Sequence, residues 1–569
     1  MITSKDKIAS KDKTVGSAHT RKLFVKSLTK TLMFYAARGL ALFAAVILLS
    51  IMLIACGMGN GFDSDDSGLE VDDYEAGDGG ILPPFPYEGL QMPSHEILPD
   101  TIRVLINTCG FASLIHETVT ITATGAFWVW GGGHEERFEA GEVFSLAFES
   151  STNVNAGTST EARIGNWNMP RSPVYFIEAE DDDARLKIIG LTRNHPNGAT
   201  PTYRGVFEVA RVDGGFTVIN ELCLEQYLYA VVPSEMPSAF GVEASKVQAV
   251  TARSFAVRQP ELNRFRDFGA DVDDSVISQV YNNLPETDTA IQAVRATRGQ
   301  VLKYDGEVIM ANYFSTSGGT TANFGEVWAI GEDFPSNTPN FLRARAQFVA
   351  DGFPHPGDLR TEDAAAAFFR TTEIPAFDRE FPWFRWEVTM TAAQLGYRVN
   401  GSLAARQAAN HALIHMYCIN GRLVSGGRAG DSTSNAASPT IGTFVDIEVT
   451  QRGQGGNIME MVFHGTEGMA RVQTEFNIRA LLAPREIPVT RHDGSTVTPL
   501  GLLPSAFFTM EMHENAQGQL TAVTFFGGGN GHGVGMSQNG VRALLDMGLT
   551  YMQILRHFYP GVEIVRMVV

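Results

Sequence analysis

Cysteine and basic charge are scarce in this sequence. Only four of 569 residues are cysteine, and no two of them form a CxxC pair, so a thiolate zinc site is not expected. The formal net charge is −19, whereas phosphate binding needs clustered lysine and arginine; we therefore expect no nucleic acid among the partners. A disulfide among the last three cysteines stays open; the four are Cys56, Cys109, Cys223 and Cys418.

The first hundred residues differ from the rest in composition. Residues 1–38 carry nine basic and two acidic side chains and predict a cytoplasmic tail. Residues 39–62 lack charge, and about 20 apolar residues suffice to cross a bilayer. We predict a transmembrane helix over 39–59, with the C-terminal body on the extracytoplasmic side of the cell membrane. Leu53 to Cys56 also resembles a lipoprotein lipobox, so lipidation is the alternative to a retained span.

Residues 60–100 predict a spacer. Eight acids and no base lie between Asp63 and Asp78, and glycine and proline follow. Such a stretch has too little apolar surface to form a core, so we expect a solvated linker. It would let the tethered body, residues 101–569, reach a target at some distance from the membrane.

The body reads as α+β and rich in strands. Short apolar alternations predict strands at 102–106, 119–123, 126–130, 186–190, 207–212 and 216–220, with a hairpin turn at 212–216. Helical patterns are fewer, at Val242–Val257 and near 287–297, 361–370 and 541–547. Proline-rich turns and an alanine-rich helix set residues 335–440 apart, and we predict an inserted subdomain there.

One acid stands out because its surroundings are stiff. Glu235 lies between Pro233 and Pro237, and a residue before proline favours extended backbone. We expect Glu235 on a short non-helical segment just ahead of the Val242–Val257 helix. A rigidly held carboxyl suits general acid catalysis, which requires hydrogen-bond reach to one oxygen. The alternative is that Glu235 merely complements the helix N-terminus.

The helix after Glu235 carries two cations on one side. Lys246 and Arg253 are seven residues apart, and each needs a partner: Glu235, Glu243 or the substrate. A cation beside Glu235 would lower its pKa, whereas desolvation would raise it. Composition and spacing do not decide between these two effects.

The stretch VVPSEMPSAFGVEASKVQAVTARSFAV resembles the signature of the stage II sporulation protein D family of peptidoglycan lytic transglycosylases. Further stretches resemble later landmarks of that family, in family order, over about 340 residues. The lead-in is EQYLYAVVPSEMP, and the later landmarks are YFSTSGGTTANFGEVW, NIRALL, LLPSAFF and GNGHGVGMSQNGVRALLDMGLTYMQILRHFYPG.

The resemblance implies that Glu235 is the catalytic acid. It would protonate the glycosidic oxygen between N-acetylmuramic acid (MurNAc) and N-acetylglucosamine (GlcNAc) and then accept a proton from the muramic C6 hydroxyl. That hydroxyl would close a 1,6-anhydro ring. The setting would be stem-free glycan during engulfment in sporulation, with a wall amidase and a companion membrane protein as partners.

The resemblance also implies substrate-binding positions. Lys246 and Arg253 would meet the muramic lactyl carboxylate, although helix packing and pairing with Glu243 would explain them equally well. Some family members hold zinc near the stretch SQVYNN, but Ser278 stands in this stretch and no cysteine lies between Cys223 and Cys418. We therefore expect no metal and no other cofactor. The remaining predicted groove residues are Tyr281, Ser315, Ser317, Gly318, His532, Ser537 and Gln538.

Two other functions stay open. Relatives in the same superfamily enhance wall amidases, so the chain could be a wall-binding module that activates an amidase. A third interpretation is a structural tether between membrane and wall. The presence of Glu235 favours the enzyme, and a tether would still work after Glu235→Gln.

Overall fold

The computed structural model describes residues 101–131, 134–147, 173–178, 184–193, 200–262, 264–349, 357–425 and 440–568. The predicted tail, span and linker lie outside these ranges. None of the helices within them is both long enough and apolar enough to cross a bilayer. The membrane anchor therefore stays a prediction.

The described residues form eight α-helices and confirm the α+β class. Four helices were predicted, although the last of these begins at Gln538 rather than Val541. The helices are α1 Leu224–Glu235, α2 Gly241–Arg258, α3 Asp288–Ala296, α4 Glu362–Arg370, α5 Ala392–Ala409, α6 Glu475–Leu481, α7 Gln538–Asp546 and α8 Tyr551–Phe558. The unpredicted ones are α1, α5, α6 and α8.

The N-terminal part is built mainly from antiparallel strands, with β10 parallel to β1, and several strands alternate in burial. All six predicted strands are present, and Asp213 and Gly214 form the tight turn of the predicted hairpin. The described strands of this part, predicted and unpredicted together, are β1 Thr101–Leu105, β2 Thr118–Ala123, β3 Phe127–Gly131, β4 His134–Phe138, β5 Phe144–Ala147, β6 Val174–Glu178, β7 Leu186–Ile188, β8 Val206–Val212, β9 Gly215–Cys223 and β10 Val272–Asp273.

Shorter strands and two larger sheets follow. They are β11 Gln300–Tyr304, β12 Glu307–Val308, β13 Tyr313–Phe314, β14 Trp386–Thr391, β15 Ile414–Cys418, β16 Leu423–Ser425, β17 Phe444–Arg452, β18 Ile458–Gly465, β19 Gly468–Gln473, β20 Val489–Arg491, β21 Thr496–Val497, β22 Phe508–Glu514, β23 Leu520–Gly527, β24 Met536–Ser537 and β25 Glu563–Arg566.

The strands pair into six sheets among the described residues. The largest has the order β10-β1-β9-β8-β6-β3-β4. Strands from the same part of the chain form a three-stranded sheet with the order β5-β2-β7. Two five-stranded sheets have the orders β21-β20-β14-β23-β22 and β16-β15-β19-β18-β17. The remaining two are β12-β11-β25 and the parallel pair of β13 with β24. That pair brings residues 313–314 beside residues 536–537, far apart in the chain.

Helix α2 lies between two hydrophobic clusters. Ala249, Ala252 and Ala256 belong to the cluster formed with the seven-stranded sheet and α1. Val247 and Val250 belong to the cluster formed with α4, α7 and α8. Small residues on one face and valines on the other let α2 pack against both clusters. This close packing on two sides holds the helix in place.

A third hydrophobic cluster runs from Trp386 to Phe525 and joins both five-stranded sheets with α5 and α6. Helix α5 begins with a capping box in which Thr391 and Gln394 satisfy each other's backbone N–H groups. The division of the chain at 335–440 stays a prediction.

Candidate active site around Glu235

Glu235 is the last residue of α1, so the predicted non-helical segment is wrong at this residue. Pro233 lies inside the final turn of the helix, and the chain becomes extended only at Met236, the residue before Pro237. The buried face of α1 carries Leu224, Tyr227, Leu228 and Val231 and holds the helix together past Pro233. The expected stiffness is present, but it comes from the end of a packed helix.

Three uncharged donors hold the carboxylate of Glu235. Its Oε1 accepts hydrogen bonds from the backbone N–H of Val280 at 2.7 Å and from the hydroxyl of Tyr313 at 2.9 Å. Its Oε2 accepts from Nε2 of Gln538 at 3.1 Å, and the same nitrogen donates to the Glu235 carbonyl at 2.8 Å. Three separate segments of the chain therefore converge on one carboxyl group.

Burial raises the pKa of Glu235, and the hydrogen bonds from Val280, Tyr313 and Gln538 oppose that rise without overcoming it. No charged side chain contributes to this balance. The residue as a whole is only half-buried, although protein atoms crowd its carboxyl group. The competition left open by the sequence is thus decided in favour of desolvation.

The donors themselves are held by further hydrogen bonds. Nε2 of Gln279, a wholly buried residue, donates to the Tyr313 hydroxyl at 3.0 Å. Its Oε1 accepts from the hydroxyl of Tyr227 on α1 at 3.3 Å. The chain from Tyr227 through Gln279 and Tyr313 ends at Glu235 and leaves the Tyr313 hydroxyl proton directed at the carboxylate.

Arg253 lies away from this carboxyl group. Its guanidinium, fully buried, binds both carboxylate oxygens of Glu225 at 2.7 and 2.8 Å and the Gln300 carbonyl at 3.0 Å. Of the two interpretations that the sequence allows for Arg253, this geometry matches packing and ion pairing, although with Glu225 rather than Glu243. The Arg253 side chain is not exposed in this conformation, so it cannot make the predicted contact with substrate there.

Lys246 is partly exposed, with 22 % of its side chain accessible. Its Nζ pairs with Glu243 one turn earlier on α2 and lies 5.4 Å from the centre of the Tyr551 ring. The ion pair is the structural interpretation that the sequence offers. The partial exposure of the side chain leaves the predicted contact with a substrate anion open.

Tyr281 packs into the core beside the loop that bears Val280. Its ring lies against those of Tyr227 and Tyr203, and its hydroxyl donates to Asn220 at 2.9 Å. It supports that loop from beneath, and the predicted substrate contact is untested.

The predicted groove residues Ser317 and Ser537 are buried and share a partner, Asp378. Oγ of Ser317 donates to Asp378 at 2.7 Å, its backbone N–H donates to the same carboxylate at 3.0 Å, and Ser537 Oγ donates there too. Ser537 also caps α7 by accepting a hydrogen bond from the N–H of Gly540 at 3.3 Å. Nothing in the sequence around Asp378 indicates this role.

Gly318 is needed for close packing. A Cβ there would lie 2.8 Å from the backbone of Gly528, and the Gly318 carbonyl accepts from Nη1 of Arg385 at 2.9 Å. Ser315 is half-buried, and its carbonyl accepts the backbone N–H of Asn539 at 3.0 Å. These residues connect the Ser-Gly-Gly-Thr segment to the start of α7, and their contact with a substrate stays a prediction.

His532 packs on the opposite side of β13 from Tyr313. Its ring lies 5.7 Å from that of Phe314 and 4.8 Å from that of Trp328, and successive strand residues face opposite ways. Burial lowers the pKa of His532 to about 3, so the imidazole is neutral at pH 7. Gln538 is thus the predicted groove residue that the structure brings into contact with Glu235.

Ser278, at the stretch where zinc ligands were considered, donates its hydroxyl to Asp273 at 2.7 Å. Within the described ranges, no cluster of three or more His, Cys, Asp or Glu side chains is arranged to hold a metal ion. The loop that bears Val280 is anchored instead by hydrogen bonds from Ser275, Ser278 and Asn107 to Asp273.

Tyr313 and Asp378 were missed by the sequence analysis. Tyr313 opens the stretch YFSTSGG, and its position in that landmark was the available signal. Asp378 lies between α4 and β14, and only its contacts in three dimensions reveal it.

Two family models match the chain. The one described as Stage II sporulation protein matches residues 212–304, which include α1, α2, Gln279 and Val280. The other, described as a domain of unknown function, matches residues 427–535. The first match thus contains Glu235 and one of its three donors, whereas Tyr313 and Gln538 lie beyond it.

Curated relatives agree with the first match. An amidase enhancer of Bacillus subtilis (strain 168) is 25 % identical over 336 residues, 59 % of this chain and 39 % of the relative. Stage II sporulation protein D of the same organism is 31 % identical over 179 residues, 28 % of this chain and 52 % of the relative.

Stage II sporulation protein D of Bacillus amyloliquefaciens is 26 % identical over 362 residues, 61 % of this chain and 75 % of the relative. The chain thus spans about two fifths and about half of the two Bacillus subtilis relatives. The family match over residues 212–304 and these relatives together support the similarity of the chain to the stage II sporulation protein D family.

Proposed function

We propose that this protein is a membrane-tethered lytic transglycosylase that cleaves the MurNAc–GlcNAc bond of stem-free peptidoglycan strands. The observation that carries the proposal is the Glu235 carboxyl, held by three uncharged donors with its pKa raised by burial. A raised pKa favours the protonated form of the acid, which is the form that donates a proton to a glycosidic oxygen.

In the first step, Glu235 gives its proton to the glycosidic oxygen as the bond from that oxygen to C1 of MurNAc breaks. The leaving GlcNAc departs with a free hydroxyl, and positive charge develops at C1. The Glu235 carboxylate formed in this step accepts the hydrogen bonds of Val280, Tyr313 and Gln538, which stabilise the charged form.

In the second step, the C6 hydroxyl of the same MurNAc attacks C1. Glu235 takes the proton of that hydroxyl, a new bond joins O6 to C1, and the 1,6-anhydro ring closes. The acid returns to its starting state and no water is consumed. Glycoside hydrolases, by comparison, generally use two carboxylates, because a water or an enzyme nucleophile must also be activated.

The proposed setting is the outer face of the cell membrane during engulfment in sporulation. The apolar stretch at 39–59 would anchor the chain, and the acidic segment at 60–100 would span the distance to the wall. The names of the Bacillus relatives support a role in sporulation. A wall amidase would supply glycan without peptide stems, and a companion membrane protein is the other proposed partner.

A second candidate function is the activation of a cell-wall amidase. It is favoured by the relative named amidase enhancer, which aligns with 59 % of this chain. In that role the chain would bind the wall and the amidase without chemistry of its own. The hydrogen-bonded Glu235 favours the enzyme, because an activating module needs no acid with a raised pKa.

The test compares the full-length wild type with Glu235→Gln on stem-free glycan strands, with products identified by mass spectrometry. We expect wild type to release ends that are one water lighter than hydrolysed ends, and Glu235→Gln to release none. The matched control is Glu243→Gln, whose carboxylate pairs with Lys246 on the partly exposed face of α2 and is expected to stay active.

Two outcomes would contradict the proposal. Hydrolysed reducing ends would make the protein a hydrolase with a second carboxylate. No cleavage by folded wild type, combined with faster release of stem peptides when a wall amidase is added, would support the activating module.

A further inference from the structure

A second buried acid, Asp378, lies in the chain between α4 and β14. Its carboxylate accepts hydrogen bonds from both the backbone N–H and the hydroxyl of Ser317 and from the hydroxyl of Ser537. The side chain is fully buried, so it cannot touch a glycan. Burial raises the pKa of Asp378 to about 6, and its hydrogen-bond partners, including the N–H of Gly540, are all uncharged.

The two serines belong to the two segments that supply side-chain donors to Glu235. Ser317 follows Tyr313 by four residues along one segment, and Ser537 immediately precedes Gln538 on the other. These segments run side by side as the parallel pair β13 and β24, which is only two residues long. So short a pair has few ladder hydrogen bonds to fix its position, and Asp378 adds a side-chain link across it.

Ser537 connects Asp378 to both segments and to α7. Its hydroxyl donates to Asp378 and accepts from the N–H groups of Ser317 at 3.2 Å and Gly540 at 3.3 Å. Gly540 belongs to the first turn of α7, of which Gln538 is the first residue. The carboxylate therefore lies at the N-terminus of α7, where the helix dipole favours a negative charge.

Arg385 holds the adjoining peptide from another direction. Its guanidinium is buried, stacks 4.0 Å from the centre of the Phe384 ring, and donates to the carbonyls of Gly318 and Thr371. Asp378 thus accepts hydrogen bonds from Ser317, and Arg385 donates one to the next residue, Gly318. Both come from the segment between α4 and the start of β14, which lies beyond the region matched by the sporulation family model.

We propose that Asp378 is a positioning residue that fastens residues 313–317 to residues 536–538 and so fixes Tyr313 and Gln538 against Glu235. This role rests on the proposed transglycosylase reaction, because its purpose is to orient the acid for two proton transfers. Loosening the link would let Gln538 and Tyr313 drift from the carboxylate, and misplacement of about 1 Å can cost on the order of a hundredfold in rate.

The variants are Asp378→Ala, which removes every acceptor, and Asp378→Asn, which keeps one acceptor oxygen and the shape. Ser537→Ala is a milder deletion that still folds if Asp378→Ala does not. Glu460→Gln is the matched control, since Glu460 is also buried and paired, with Arg471, on β18 and β19. All are made in the full-length chain and compared at equal folded concentration.

The first measurement needs no activity. Hydrogen exchange read by mass spectrometry should show faster exchange in peptides covering 313–319 and 536–542 for Asp378→Ala, and no change there for Glu460→Gln. Unchanged exchange in both peptides would overturn the proposed link even if wild type had no transglycosylase activity. Failure of the link and failure of the proposed function are therefore distinguishable.

The second measurement is the rate of formation of 1,6-anhydro ends. We expect Asp378→Ala to lower kcat at least about tenfold with KM within about twofold, and Asp378→Asn to recover most of that loss. The effects of Asp378→Ala and Gln538→Ala should be non-additive, because both act on one carboxyl group. Strict additivity, or an unchanged kcat despite faster exchange at 313–319, would overturn the positioning role.

Discussion

Helix α1 carries a buried acid at each end, and the two acids have opposite surroundings. Glu225 in its first turn forms a bidentate ion pair with Arg253, and both side chains are shielded from solvent. Glu235 at its last residue receives hydrogen bonds from an amide, a phenol and a backbone N–H, and no cation. The two residues share a type and a helix.

The difference teaches what makes a buried acid reactive. A carboxylate with a guanidinium partner forms a bidentate ion pair, which here joins two helices. A carboxyl group with only uncharged donors has no countercharge to offset desolvation. Its pKa therefore rises, which favours the protonated form. Had Arg253 pointed at Glu235, the same sequence motif would have produced a structural ion pair in place of a candidate acid.

The largest effect is expected at Glu235 itself. Glu235→Asp withdraws the carboxyl by one methylene from Tyr313, Gln538 and the glycosidic oxygen, and should lower kcat about a thousandfold. Thermal unfolding should change little, since no ion pair is lost. The measurement is the rate of anhydro-end formation beside a melting curve, and a rate within tenfold of wild type would contradict the required positioning.

Glu225 lies at the other end of α1 and pairs with Arg253 of α2, so Arg253→Met should mainly lower the free energy of unfolding. It leaves Glu225 buried without a countercharge, which costs about 3–5 kcal/mol of unfolding free energy. Denaturant unfolding measures this. The control is Arg258→Met, because the pair of Arg258, the last residue of α2, with Glu261 is more exposed and worth less than about 1 kcal/mol. Equal losses in both variants would show that the Arg253 pair is no stronger than a surface pair.

Tyr313→Phe sharpens the comparison by removing one uncharged donor from Glu235. The lost hydrogen bond had stabilised the carboxylate, so the pKa of Glu235 should rise further. Because the acid must be protonated to act, kcat/KM falls as pH rises through this pKa, and that alkaline limb should move to higher pH. The rate should fall about tenfold, and a limb that moves to lower pH would show that Tyr313 does not hold the charged form.

The smallest effect is expected at Lys246, whose ammonium is partly exposed. If it meets a substrate carboxylate, Lys246→Met raises KM several-fold with kcat and melting temperature nearly unchanged, since exposed ion pairs contribute about 0–1 kcal/mol. Glu243→Gln breaks the same pair without removing the cation. A rise in KM in both variants alike would assign the effect to helix packing.

Much of the fold followed from local patterns. The six predicted strands are present, several of them with alternating burial, and α4 forms within the predicted range of 361–370. The error at Glu235 arose because the backbone preferences around Pro233 and Pro237 were given more weight than the apolar face of α1. Tertiary packing carries the helix through Pro233, and only Met236 is extended.

The site was only partly predictable for a different reason. Glu235 could be singled out by its own surroundings in the chain, but Tyr313, Gln538 and Asp378 act across 78, 303 and more than a hundred residues of separation. The family resemblance assigned Arg253 to substrate, with helix packing as an equal alternative, and its spacing from Lys246 indicated only a shared face. The spacing does not reveal that Glu225 waits on the neighbouring helix.

The most direct test of this account compares Glu225→Gln and Glu235→Gln in one experiment, by melting curve and by formation of anhydro ends per folded molecule. The account predicts that Glu225→Gln lowers the melting temperature by several degrees and keeps turnover within about twofold. Glu235→Gln should keep the melting temperature and lose turnover. Full turnover in Glu235→Gln would contradict the claim that the acid without a countercharge carries the chemistry.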